Sequence, residues 1–410
     1  MQVRRVYTEY IKPDDPRHWR LKIYSQVSAR LYNKALRLAL TVEKRIRVQA
    51  KAGHFYGKRM NFYDLYSYAQ SYFKDEYAAC PEGQSVLAQV AQDLESYWKA
   101  KAAFFKNPKK FSGKPRAPRQ KDGGCVTTVP AVKIRKDSTY IYRPRSHAIR
   151  VNVPKAGSYT KLNQIRFVPK GDGFNIEVVY TAEVEVESKD RSGFLALDPG
   201  VVNLYTGVSD KDTAPVIVDG SRLLGTIKYY NFKIDRLKSQ LPEGQKSSKQ
   251  IRKLWTRLNH KKKHYVHCAT KKIVSYADSI SAKTVIVGKN DGQKKENRLK
   301  WFNKMNHTEI LEILKYKLEA KGIVLEEVEE SYTSKTDNLA KQFLPKIAAG
   351  KSNKPADWKP LGERVKRGLY QSSTGVLLNA DVNGAIGIAR KLIGDEWIAG
   401  GYFCNPVQLR

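Results

Sequence analysis

Apolar and polar residues change their rhythm twice along this 410-residue chain. The opening VRRVYTEYIKP alternates with a period of two, which predicts a strand, and Pro13 and Pro16 then break it. From Leu21 onward, Ile23, Val27, Leu31, Ala35, Leu36 and Leu40 recur near helical spacing, and SVLAQVAQDLESYWKAKAAFF repeats that pattern over 85–105. Residues 17–105 are therefore expected to be helical. Between 126 and 188 the rhythm shifts to short β-rich runs: VTTVPAVKI, STYIYRPRS, AIRVNVP and QIRFVPKGDGFNIEVVYTAEVEV, with Gly171 and Gly173 marking a hairpin turn. A small barrel or sheet is expected there. If the N-terminal strand joins it, the helical segment is an insertion into a β domain.

From about Ser192 a third texture begins. GFLALDPGVVNLYTGVSD reads as an apolar strand, a tight Asp-Pro-Gly break and a second strand, and APVIVDGSRL supplies a third. AKTVIVGKN (strand), NHTEILEILKYKLEAKG (amphipathic helix), IVLEEVEESYTS (strand) and NADVNGAIGIARKLI (helix) complete it. Three strands, helix, strand, helix, strand, helix is the element order of the ribonuclease-H-like fold, an α/β sandwich with a partly antiparallel, partly parallel sheet.

Charge adds a partner class. Lys and Arg number 75 against 40 Asp and Glu, a formal charge of +35, the electrostatic footprint of a nucleic-acid binder. Between Lys99 and Lys121 stand nine Lys/Arg, three Phe and no acid, so bases can stack among the charges. Lys109, Lys110, Arg116 and Arg119 are the phosphate-contact candidates there. Residues 246–272 hold ten Lys/Arg and no acid, and Lys261, Lys262 and Lys263 are candidates in that basic helical stretch (225–275). The alternatives are a solvated linker and an exposed charged helix pair. The cysteines, Cys80, Cys125, Cys268 and Cys404, form no C-x-x-C pair, so free thiols and no zinc site are expected. No apolar run approaches the roughly 18 residues of a membrane span, and a cytoplasmic protein without a membrane partner is expected.

In so basic a chain the carboxylates that gather deserve explanation. Asp198 follows the apolar FLAL where a strand breaks, and Asp381 lies just inside a helix start. Alone, the first could be a turn former and the second a capping acid. In this fold both would sit where two Mg²⁺ ions need hard oxygen ligands. The fourth strand's end, beside the first, reads VIVGKN, with Gly288 where a further acid could stand. The next strand ends in VEES; neighbouring strands are about 4.8 Å apart, and faces alternate, so one of Glu329 and Glu330 can reach back.

FLALDPGVVNLYTGV, VIVGKN, EESYTSKTD, RVKRGLY and NADVNGAIGIARK together resemble the RuvC nuclease domain of TnpB proteins, transposon-encoded relatives of type V CRISPR effectors. RLYNKALRLAL, LESYWKAKAAFF and KPRAPRQK resemble, more weakly, the family's helical recognition lobe and its junction with a wedge β-barrel. The resemblance implies an α+β multidomain protein: a wedge β-barrel from 1–16 and 112–190, a recognition lobe at 17–111, and a RuvC domain at 191–410. It implies Asp198 and Asp381 as the first and third metal-binding catalytic acids. The middle glutamate, absent at Gly288, is moved in some members and in the Fanzor relatives to the strand before a Thr-Ser pair; Thr333 and Ser334 select Glu330, with Glu329 as the fallback. The four-cysteine zinc ribbon of many members is missing, since 335–370 contains no Cys or His. The family's activity would be RNA-guided DNA cleavage with Mg²⁺, a guide RNA from the transposon end and a double-stranded DNA target, by a monomer or weak dimer. Tyr63, Ser67 and Gln89 in the lobe, and Arg364 and Arg367 in RVKRGLY, would contact nucleic acid. A cleavage-deficient RNA-guided repressor, a structural RNA-binding protein and an RNA-independent transposase are the competing readings.

Overall fold

The alternating opening forms strand β1 (Gln2–Ile11), and the helical rhythm after it forms α1 (His18–Lys51), α2 (Phe62–Tyr72), α3 (Lys74–Ala79) and α4 (Gly83–Lys106). The computed structural model describes residues 2–52, 58–108, 111–130, 139–142, 149–155, 158–183, 189–211, 214–289, 300–348, 351–398 and 406–409. On α1 the residues Leu31, Tyr32, Ala35, Leu36 and Ala39 recur at three- and four-residue steps and pack on Val86, Leu87, Val90 and Leu94 of α4. A capping box starts α2: the Asn61 side chain accepts from the Asp64 N–H, and the Asp64 carboxylate accepts from the Asn61 N–H.

The β-rich text becomes β2 (Thr127–Pro130), β3 (Thr139–Tyr142), β4 (Ile149–Asn152), β5 (Lys161–Lys170) and β6 (Gly173–Glu183). β1 pairs antiparallel with β6 from Gln2–Glu183 to Ile11–Phe174, and the sheet runs β1-β6-β5-β2. The four helices thus enter between strands of one sheet. β3 and β4 form a separate hairpin, and among the described residues β1 and β2 remain the edges of the sheet. Helices and sheet together make one compact unit, residues 1–184, and residues 185–410 make a second.

The second unit begins with β7 (Phe194–Pro199), β8 (Asn203–Ser209) and β9 (Val216–Asp219), followed by α5 (Ser221–Ser239) and α6 (Lys249–Ser279). Then come β10 (Thr284–Lys289), α7 (Lys300–Met305), α8 (His307–Glu319) and β11 (Val324–Glu329). β7–β9 run antiparallel, and β10 lies parallel to both β7 and β11, in the order β11-β10-β7-β8-β9. The 335–370 interval, expected as a metal-free loop or insertion, carries a hairpin, β12 (Ile347–Ala348) with β13 (Lys351–Ser352), and most of a small sheet. That sheet is β14 (Glu363–Lys366), β15 (Leu369–Gln371) and β16 (Leu377–Asn379). α9 (Ala380–Ile393) follows, and β17 (Val407–Gln408) extends the main sheet beside β9.

Alternation along the central strands divides their side chains between two cores. Leu195, Leu197, Val285 and Val287 face α5, α6 and α8, whereas Phe194, Ala196 and Ile286 face α9. α9 is buried from Val382 through Arg390, as expected of a helix apolar nearly all round. Among the described residues no helix is long and apolar enough to cross a membrane.

Candidate active site

The alternation that sends Phe194 and Ala196 toward α9 sends Asp198 there too, and Asp198 pairs with Thr206 across β8. α9 approaches so closely that a Cβ on Gly384 would lie 2.8 Å from Asp198 Oδ2. Glycine inside a helix costs about 1 kcal/mol relative to alanine, and this contact is the reason for it here. Asp381 occupies the first turn of α9 but does not cap it. Asn379 does, accepting from the Asp381 N–H at 2.9 Å, while Asp381 Oδ2 accepts from Asn203 Nδ2 at 2.9 Å. Asn203 opens β8, so one amide aims this carboxylate across the strand ends.

Gly288, next to last in β10, lies on the face that Ile286 directs toward α9. A Cβ there would lie 2.6 Å from Ile388 Cδ1 and 2.9 Å from Glu330 Oε2. The Glu330 carboxylate thus fills the space a side chain at 288 would need. Glu329 points elsewhere: its Oε1 accepts from the Ser331 N–H, and its Oε2 pairs at 2.8 Å with Lys391 Nζ, whose side chain is 3% exposed. Burial, then the charges of Glu330 and Asp381, push the Asp198 carboxyl well above the usual carboxylate range; the exposed Arg364 guanidinium works in the other direction.

A buried polar cluster fastens the loop after Glu330 to α9. Asn338 Nδ2 donates to the Thr333 carbonyl (2.7 Å) and the Asn383 carbonyl (2.8 Å), and Asn383 Nδ2 donates to the Thr336 carbonyl (2.9 Å). Arg390, bidentate on Asp395, also donates to Asn338 Oδ1 at 2.9 Å. Tyr332 takes the left-handed backbone (φ 68°), uncommon for a bulky residue, with its carbonyl accepting from the Lys335 and Thr336 N–H groups. Asp337 accepts from the Ser372 and Ser373 hydroxyls and the Ser373 N–H, which ties the β15–β16 turn to the same loop. Thr333 Oγ1 donates to the Glu330 carbonyl at 2.7 Å.

Asp198, Glu330 and Asp381 therefore converge from a strand end, a loop and a helix start. Their donor chemistry, all carboxylate oxygen in a site crowded with like charge, suits a hard divalent cation. Among the described residues, however, no three His, Cys, Asp or Glu are gathered as a ready ligand group. The convergence is electrostatic, not a closed cage.

The remaining candidates do not form one site. Tyr63 and Ser67 share an exposed face of α2, and Tyr63 is 77% exposed. Gln89 is exposed on α4 with its amide donated to Asp93. Arg116 and Arg119 are exposed in irregular chain; Lys109 and Lys110 lie outside the described residues. On α6, Lys261 and Lys263 are exposed, but Lys262 Nζ donates to the Lys304 carbonyl at 2.7 Å, and burial lowers its pKa. Arg364 and Arg367 are exposed on β14 and in the turn after it. Sequence reasoning missed Asn203, Asn338, Arg390 and the contact role of Gly384; two glycines inside the apolar NADVNGAIGIARK were the available signal.

Two family matches fall on this geometry. Residues 177–293, which contain Asp198, match the OrfB_IS605 family, described as a probable transposase; residues 307–388, which contain Glu330 and Asp381, match the TNB domain of Cas12f1-like proteins. Over those two stretches, each less than half of its length, the chain is similar to OrfB_IS605 and Cas12f1-like proteins. Among solved structures, a cryo-EM Cas12f1–sgRNA–target DNA complex is similar at 15% identity, over 90% of this chain and 81% of that one, with TM-score 0.48. A CRISPR-Cas12f ternary complex gives 15%, 90%, 80% and 0.35, and AacC2c1 with sgRNA and extended non-target DNA gives 6%, 91%, 69% and 0.43. No curated protein matches the chain in sequence.

Proposed function

We propose that this chain is an RNA-guided DNA endonuclease of the TnpB kind, cutting through a ribonuclease-H-like, RuvC-type site. The observation that carries the reading is the convergence of Asp198, Glu330 and Asp381, with the Glu330 carboxylate in the space that Gly288 leaves open. The strand order β11-β10-β7-β8-β9, with α9 across it, supports the fold assignment.

In this reading Asp198, Glu330 and Asp381 would hold Mg²⁺. When bound, the cation would stabilise the attacking and leaving oxygens of phosphodiester hydrolysis. Asn203 orients Asp381; Gly384 leaves room for Asp198; Arg364, whose charge reaches Asp198, meets the phosphate backbone at the site's edge. A structured RNA from the transposon end would select the target by base pairing, while Tyr63, Ser67 and Gln89 contact the short adjacent DNA motif. The positive charge would hold RNA and the displaced strand.

The test is Mg²⁺-dependent cleavage of matched double-stranded DNA by protein assembled with RNA transcribed from its own locus. Asp198→Ala and Glu330→Ala abolish cutting and keep RNA binding, and Glu329→Ala keeps both. Gly288, standing where a further acid could stand, favours one second reading, guided DNA binding without cleavage. A wild type that binds guide and target yet never cuts decides for it.

A further inference from the structure

α5 and α6 enclose a groove of about 500 Å³ in the second unit. Its floor is apolar, Leu237 and Leu254, and its walls carry Lys233, Arg236, Lys253 and Arg257, all exposed, with two glutamine amides and no acid. Among the described residues none of these four cations lies within ion-pair distance of a carboxylate. Four like charges facing one groove repel one another, and a polyanion relieves that repulsion. Here the fold converges four of the chain's cations on one groove.

Aromatic side chains extend the groove. Tyr229, 52% exposed, stands one turn before Lys233, whose ammonium lies 4.5 Å from its ring centre; Phe232 beside it is 68% exposed, one turn before Arg236. Large apolar surface left in water beside a cationic wall fits unpaired bases, which stack on such rings, and not a duplex, whose bases are already stacked.

We infer that the α5–α6 groove binds a single-stranded polynucleotide, with its phosphates on Lys233, Arg236, Lys253 and Arg257 and its bases on Tyr229 and Phe232. This deepens the nuclease reading and rests on it for biological context, but its binding chemistry stands apart from cleavage and from the carboxylates. Guide RNA and a displaced DNA strand share that chemistry.

Fluorescence anisotropy of the full chain with labelled oligouridylate and oligothymidylate of about 12 nucleotides, beside a duplex of equal length, tests it. Replacing the four cations with alanine flattens the dependence of log affinity on log salt for single strands by about 3, from roughly 0.7 per phosphate. Tyr229→Ala with Phe232→Ala weakens single strands about tenfold and leaves the duplex unchanged. A larger effect on uridylate assigns the groove to guide RNA, and a larger effect on thymidylate assigns it to the displaced DNA strand. An unchanged salt slope overturns the inference, as does an aromatic effect of equal size on the duplex. Arg236→Glu alone, a single exposed position, keeps the test answerable should the fourfold variant fold poorly. Since no guide or cleavage is involved, a chain that never cuts still answers; loss of the groove effect in a chain that cuts refutes only the groove.

Discussion

At the scale of single residues, Gly384 and the two neighbouring glutamates make the sharpest predictions. Gly384→Ala places a methyl 2.8 Å from Asp198 Oδ2, so the carboxylate or the helix must move. Cleavage measured in single turnover is expected to fall about a hundredfold, the scale of an ångström of misplacement, with guide binding intact. Glu329→Ala removes the carboxylate partner of the buried Lys391 ammonium; its bond to the Ser331 carbonyl stays and water replaces part of the rest, so about 2 kcal/mol of stability is lost, read as a lower melting temperature, while cutting persists. The two glutamates were legible as alternatives, since strand parity allows only one to face Asp198. Parity cannot say which, because that rests on Lys391, 62 residues away in the chain. Asp198 and Asp381 were legible because each stands where an apolar element starts or stops.

At the scale of elements, the loop 330–338 is held to α9 by hydrogen bonds and not by apolar packing. Asn338→Ala leaves the Thr333 and Asn383 carbonyls and the Arg390 guanidinium short of partners, which costs about 3 kcal/mol. Limited proteolysis between 331 and 342 is expected to accelerate accordingly. Burial pushes the Asp337 carboxyl up, but hydrogen bonds from the Ser373 N–H and hydroxyl, the Ser372 hydroxyl and the Ala340 N–H outweigh it and hold the group below the usual range. A folded pKa below the unfolded value means stability that is full above about pH 4 and lost as pH falls below it. Asp337→Asn should thus destabilise the protein at neutral pH, and the gap to wild type should close under acid, seen in melting curves. Short elements resisted prediction: β15 has three residues and β17 two, too few for any period to show, and β17 depends on β9, far earlier in the chain.

At the scale of the whole molecule, the formal charge of +35 governs association. Raising salt from about 50 to about 200 mM should weaken guide RNA binding by a factor of about 1,000 or more, as for a protein making six or more phosphate contacts. A filter-binding series checks it. Each unit also has its own core: Leu31, Leu36 and Leu94 with Ile165 and Val178 in the first, Leu197, Ile273 and Ile386 in the second. The rhythm of the sequence showed this division at the level of texture, and it read the insertion of helices into a sheet from β1 onward. Residues 1–184, read from texture as a β domain with an inserted helical lobe, form one compact unit, since helices and strands that differ in period can still pack together.

Gly288 and Glu330 have a consequence for ancestry. The carboxylate at 330 stands where a Cβ at 288 would press, so the two positions compete for one volume. A lineage could not keep a bulky residue at the first while gaining the acid at the second without displacing one of them. The exchange is epistatic: relatives with an acid at the position of Glu330 should carry glycine at the position of Gly288, and restoring a side chain there should need both loss of the later acid and a smaller residue at the position of Ile388.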